Sequence, residues 1–216
     1  MITALIASIP ERENMLKRTV ESLRPQVDHL KVSLNGYTHI PDFLEKKEYI
    51  VLDNSMGDAA KFYFADKCRG YILTCDDDII YPCGYAAYMI QGVQQYQCAV
   101  TLHGRNYSRP VIGFQQSFTG YPCLGDVATD THVDVGGDGV MCWNTDFLKV
   151  KFSDFKQKNM SQLYFSKLCK EQNVKIMCLA HRSGYLGYMN PQDTIWDQEN
   201  RKGFIKQTEL LKEFLK

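Results

Sequence analysis

The 216-residue chain has no excess of charge, since Lys and Arg total 25 and Asp and Glu total 25. A balanced chain lacks the basic stripe that attracts nucleic acid or an anionic membrane, so neither is an expected partner. Long apolar runs are missing too, none approaching the ~20 residues of a membrane span. No basic leader precedes the first apolar segment, and the sequence reads as soluble, unsecreted and cytoplasmic. Gly/Ser linkers, low-complexity tracts and internal repeats are absent, which leaves one domain large enough for a sheet covered on both faces. Eight cysteines are present, yet no pair has C-x-x-C spacing. Small buried thiols in a reducing compartment account for them better than zinc or disulfides. The chain opens in an apolar strand pattern and closes in a helical one, so further domains of a longer polypeptide are an expectation.

What is present is organised around residues 71–82, YILTCDDDIIYP. A short apolar run stops in three consecutive carboxylates, Asp76, Asp77 and Asp78, and a helical pattern opens after Pro82. Three like charges repel, and a divalent cation removes that cost. Hard oxygen ligands at the carboxyl end of a strand suit Mg²⁺ or Mn²⁺, and Mg²⁺ completes its shell with water and phosphates, which points to a nucleotide diphosphate. The competing explanation is a solvated acidic turn.

Other apolar runs at 3–9, 30–34, 49–52, 98–102, 140–143 and 174–179 alternate with helical patterns, the first carrying Leu16, Val20 and Leu23. That order predicts an α/β domain with a mostly parallel sheet of about six strands flanked by helices. A helix opening at Gly57-Asp58 is expected to turn Ala60, Phe64 and Cys68 inward, and the last helix to bury Phe204, Thr208, Leu211 and Leu215. Residues 106–131 read as a long functional loop with one hairpin. The glycines of Gly136-Gly137-Asp138-Gly139 imply either a close backbone approach or an ordinary hairpin turn.

Four segments in order, Ala7-Ser8-Ile9-Pro10-Glu11-Arg12, Gly57 to Phe62, Thr74 to Asp78 and Gly136 to Gly139, resemble the GT-A nucleotide-sugar glycosyltransferases. The resemblance covers nearly the whole chain, and the Asp triplet matches the family's DxD motif. Within the family it is similar to chlorella-virus glycosyltransferase domains that build capsid glycans, which implies a viral protein acting in the host cytoplasm. The resemblance implies a UDP-sugar donor, a glycan or glycoprotein acceptor, and Mn²⁺ or Mg²⁺, with residues 1–103 as the nucleotide-binding half and 104–216 as the sugar and acceptor half. Asp78 is then expected on the metal, Asp76 on the ribose or the metal, and Asp77 beside them. Arg12 and Lys61 are expected near the diphosphate as exposed cations that contribute little to folding, with Ser8, Pro10 and Asp53 lining the uridine.

One departure is visible. Many inverting members carry an acidic base near the start of the helix after the Gly-rich loop, but here that helix begins Asn159-Met160-Ser161-Gln162. Asp138 is the first candidate for the base and Asp134 the second; otherwise the enzyme retains configuration and the departing phosphate takes the proton. His181 is a candidate metal ligand and Arg182 a phosphate contact. Trp143, Tyr185, Tyr188 and Trp196 are candidates for stacking on sugars, with core packing the alternative for at least two. A sugar-phosphate nucleotidyltransferase and a non-catalytic nucleotide- or glycan-binding domain are the rival readings.

Overall fold

A computed structural model describes residues 1–216. The first strand, β1 (Ile2–Ser8), is apolar without interruption, and Ala4, Leu5 and Ile6 are all fully buried. Such a run suits a parallel strand covered on both faces. Its residues alternate between two cores: Ala4 and Ile6 meet Leu16, Val20 and Leu23 of α1 (Glu13–Leu23), while Leu5 meets the opposite core. β2 (His29–Asn35) and β3 (Tyr49–Leu52) follow in parallel on one side of β1, and β4 (Tyr71–Cys75) lies on the other.

After the two-residue β5 (Ile79–Ile80), α2 (Tyr85–Tyr96) lays Tyr85, Met89 and Val93 on the same face as α1. The chain then gives β6 (Ala99–Thr101), the hairpin β7 (Gly104–Tyr107) and β8 (Phe118–Tyr121), the short β9 (Thr131–Val133) and β10 (Val135–Gly136), and β11 (Val140–Asn144). Next come α3 (Ser161–Glu171) and β12 (Ile176–Cys178). The central sheet has eight strands, ordered β3-β2-β1-β4-β11-β6-β12-β9. Only β11 and β9 run against the rest, so six strands share one direction. The alternating segment after residue 131 does not stay one strand: Val133 ends in the main sheet and Val135 joins β7 in a second, three-stranded one. β13 (Gly187–Tyr188), α4 (Ile195–Arg201) and α5 (Ile205–Phe214) close the chain. α5 buries Leu210, Leu211 and Phe214 with Phe204 and Leu215 against Tyr107, Phe114 and Leu163. No helix is long and apolar enough to cross a membrane.

The element opening at Gly57 departs from expectation in its period. It is a 3-10 helix (Gly57–Lys67), so the inward positions recur every three residues: Ala59, Phe62, Ala65 and Cys68. Phe64 is only half-buried. Phe62 sits in an aromatic cluster, 4.1 Å from the Phe155 ring and 5.8 Å from Phe165, and this packing positions the polar face for the site below.

A candidate active-site cleft at the strand ends

Because β1 and β4 are parallel neighbours, their carboxyl ends deliver Ser8, the turn to Arg12 and the Asp triplet to one edge. Two lobes of a cleft meet there. The smaller, about 160 Å³, is lined by Ser8, Asn35, Asn54, Asp77 and Lys158. The larger, about 430 Å³, runs past Asp78, His103 and Asp138 to Arg105, Phe114, Tyr188 and Trp196. Arg12, Asp58, Lys61 and Asp76 border both.

The three carboxylates diverge. Arg12 Nη1 donates to Asp77 Oδ1 at 3.0 Å and to Asp78 Oδ2 at 3.3 Å. Lys61 Nζ donates to Asp76 Oδ1 at 2.6 Å and lies 3.4 Å from Asp138 Oδ2. Lys61 is not an exposed cation, as its side chain is 2 % accessible. Burial alone would lower its pKa, but Asp138, Asp76 and Asp58 outweigh it and hold the ammonium well above its usual range. Burial and repulsion from Asp76 and Asp77 push the Asp78 carboxyl up to about 7, against the pull of Arg12. The Asp77 carboxyl is raised by burial, with Arg12 opposing.

The Gly-rich loop closes on this cluster at short range. A methyl group on Gly139 would collide with the Asp76 carboxylate, and one on Gly137 would meet the His103 side chain. The close-approach reading of these glycines is therefore the right one. Tyr81, buried, ties loop to strand: its hydroxyl accepts from Asp76 N–H at 2.8 Å and donates to the Gly139 carbonyl at 2.6 Å. Thr19 in α1 holds the Asp77 and Ile79 carbonyls at 3.0 and 2.7 Å.

Two carboxylates from elsewhere in the chain meet the start of α3. Ser161, the first helical residue, sets its hydroxyl against both Asp58 and Asp138. One hydroxyl proton serves one carboxylate at a time, and burial and the neighbouring Asp138 push the Asp58 carboxyl up to about 7. The N-terminal end of α3 is a favourable place for that charge. His103 Nδ1 accepts from Cys123 N–H at 3.4 Å, which leaves the proton on Nε2, and burial and Arg105 lower its pKa to about 4.

Of the residues expected here, Ser8, Arg12, Lys61, Asp76, Asp77, Asp78 and Asp138 line the two lobes. Others lie outside. Asp53 is exposed and accepts from Ser55 N–H at 3.0 Å; Asn35 and Asn54 line the smaller lobe instead. Pro10 starts the turn that aims Arg12 but lines neither lobe. His181 is buried with Nδ1 2.8 Å from the Leu179 carbonyl and Nε2 3.2 Å from that of Pro122, so neither nitrogen is offered to the Asp triplet. Asp134 is held by Arg109 at 2.9 Å and by Tyr107 N–H at 2.8 Å, away from the cleft. Arg182 is exposed outside both lobes. Trp143 is fully buried, 5.0 Å from the Phe165 ring, and Tyr185 packs 6.0 Å from Tyr88. Tyr188 and Trp196 do line the larger lobe.

No three His, Cys, Asp or Glu side chains form a ready metal-binding group. Asp76 and Asp78 nevertheless suit a hard cation that takes its other ligands from phosphate and water, and such a charge would relieve the repulsion that raises Asp78.

No protein-family model and no curated protein sequence matches the chain. Solved structures do. S. aureus TarS 1–349 in complex with UDP-GlcNAc superposes with a TM-score of 0.56 at 12% identity, over 84% of this chain and 56% of that one. The same fragment with UDP gives 0.56 at 11%, over 84% and 58%. This chain thus spans little more than half the length of those TarS chains. The 4-diphosphocytidyl-2C-methyl-D-erythritol synthase of Anaerococcus prevotii superposes at 0.50 with 11% identity, over 93% of this chain and 96% of that one. At these identities the likeness is one of architecture: a single α/β domain of the Rossmann-like GT-A type.

Proposed function

We propose that the chain is a metal-dependent glycosyltransferase that moves a sugar from a UDP-sugar to a glycan acceptor. The observation that carries this is the junction of the two lobes, where Arg12, Lys61 and the Asp triplet stand between a polar nucleoside-sized recess and a larger aromatic-walled one. The fold likeness to a chain that binds UDP-GlcNAc supports it. Ser8, Asn35 and Asn54 would face the uridine, and Arg12 and Lys61 the diphosphate. Mn²⁺ or Mg²⁺ held by Asp76 and Asp78 would neutralise charge on the leaving diphosphate. Asp138, 3.4 Å from Lys61, would accept the proton of the attacking hydroxyl, and His103 Nε2–H would donate a hydrogen bond into the same lobe. The capsid-glycan setting and host cytoplasm implied by the motif resemblance belong to this proposal; the solved neighbours do not bear on them.

Calorimetry tests it. UDP is expected to bind with Mn²⁺ and much more weakly after chelation, with GDP and CMP poor ligands; equal UDP affinity with and without metal would remove Asp76 and Asp78 from the metal role. Release of UDP from UDP-sugars then separates an enzyme from a binding module. One observation favours a second reading, a nucleotidyltransferase: the A. prevotii synthase matches over nearly the full length of both chains. Pyrophosphate release from a nucleoside triphosphate and a sugar phosphate, without UDP release from UDP-sugars, would select it.

A further inference from the structure

Three cations line the larger lobe, and only two have a carboxylate partner. Arg12 is paired with Asp77 and Asp78, and Lys61 with Asp76 and Asp138. Arg105, on β7, makes no ion pair with any residue of the chain. Its guanidinium lies 4.6 Å from the Phe114 ring centroid and 4.7 Å from that of Phe118, and its Nη1 donates to the Phe114 carbonyl at 3.2 Å. With the Gln115 amide oriented to satisfy its neighbours, one oxygen accepts from Arg105 Nη1 and Trp196 Nε1, both at 3.2 Å.

A guanidinium held between two rings has already lost most of its side-chain freedom and part of its hydration. An incoming carboxylate therefore meets a fixed planar fork at small entropic cost. The wall of the lobe mixes carboxylates, Asp58, Asp76, Asp78, Asp138 and Glu199, with an apolar part on which Tyr188 and Trp196, 42% and 51% exposed, stand with Leu124. Aromatic faces suit a sugar ring, and the one cation of the lobe without a carboxylate partner suits an acid carried on that ring.

We propose that the larger lobe takes a carboxylate-bearing sugar of the uronic type, its carboxylate paired with Arg105 and its ring against Tyr188 and Trp196. This rests on the nucleotide-sugar reading of the cleft. The acid can enter on the donor sugar or on the acceptor, and the test has an arm for each.

Calorimetry in Mn²⁺ compares UDP, UDP-glucose and UDP-glucuronate on the wild type, Arg105→Ala and Arg105→Gln; the last retains a donor for the Phe114 carbonyl if the alanine variant packs poorly. If the acid is the donor's, UDP-glucuronate binds about tenfold tighter than UDP-glucose, and both variants lose the preference while their UDP affinity is unchanged. If it is the acceptor's, the two donors bind alike and methyl glucuronide, but not methyl glucoside, binds the UDP complex of the wild type alone. UDP binding with neither preference overturns the inference and leaves the nucleotide reading intact. Failure of UDP itself to bind overturns that reading instead. Methyl glucuronide titrated into the protein alone then decides: binding that depends on Arg105 sustains the anion site, and its absence removes it.

Discussion

The two halves of the cleft are held together by different forces. At the strand ends Arg12 and Lys61 each have a carboxylate within 3.4 Å, and the shape depends on these charges balancing. On the far side, around Arg105 and Trp196, rings do the positioning and charge is left over. A change of charge in the first half should therefore be felt by the whole fold, whereas a change in the second should be felt by the ligand alone.

The largest expected effect follows from Lys61. Removing it strands Asp58, Asp76 and Asp138 without a counter-charge, and breaking a buried pair costs about 3–5 kcal/mol. Denaturant unfolding of Lys61→Ala should show that loss; a change below ~1 kcal/mol would mean the near half is not held by charge. Asp138→Asn comes next, with turnover lowered ~10²-fold and UDP affinity kept within a few-fold. Turnover close to wild type would remove Asp138 from the mechanism.

A smaller effect is set by pH. The folded-state values near 7 of Asp58 and Asp78 lie above the ordinary carboxylate value of 3.8, so folding favours their protonated forms. That contribution is complete below the unfolded value and is lost as pH rises through the folded one. The melting temperature of the metal-free protein should therefore fall between about pH 4 and pH 7 from these two groups, and Asp58→Asn should flatten the slope. An unchanged slope in that variant would reassign the proton to Asp78. On the aromatic side Trp196→Ala should move stability by no more than ~0.5 kcal/mol, yet weaken a UDP-sugar relative to UDP by roughly threefold to tenfold, as loss of an aromatic contact predicts. Equal loss for UDP and UDP-sugar would move Trp196 to the nucleotide. The least effect belongs to Asp53→Ala: stability within ~0.5 kcal/mol and unchanged UDP binding, because its carboxylate serves only an exposed turn.

The same division governs what the sequence made legible. The buried parallel strands announce themselves because both faces demand apolar residues, as Ala4 to Ile6 and Ile72 to Leu73 show. Their polar ends mark the edge, and glycines flanking an aspartate mark the loop that closes on it. Lys61 lies outside the inward series of its 3-10 helix, and its burial comes from Asp58, Asp76 and Asp138, a gathering the order of residues does not show. Asp58 gave no signal, since its hydroxyl partner is 103 positions away. Arg105 gave none either: its significance lies in rings 9 and 13 positions on and in a carboxylate that is not there. α4 was overlooked because Ile195–Arg201 is mostly polar and buries no residue, so no apolar stripe betrays it.

The three-residue period of Gly57–Lys67 has a thermodynamic sequel. Positions three apart eclipse on a 3-10 helix, so Asp58 and Lys61 stand one above the other and both reach the cleft. The backbone ladder of such a helix is weak, and Phe62, wedged among Phe155, Phe165 and Trp143, supplies the anchorage the ladder lacks. Amide protons along this segment should consequently exchange with those of the core beneath them and slow when UDP occupies the cleft. Opening this helix would release the ammonium and the carboxyl together, making the ligand-binding surface and the cooperative unfolding unit the same stretch of polypeptide.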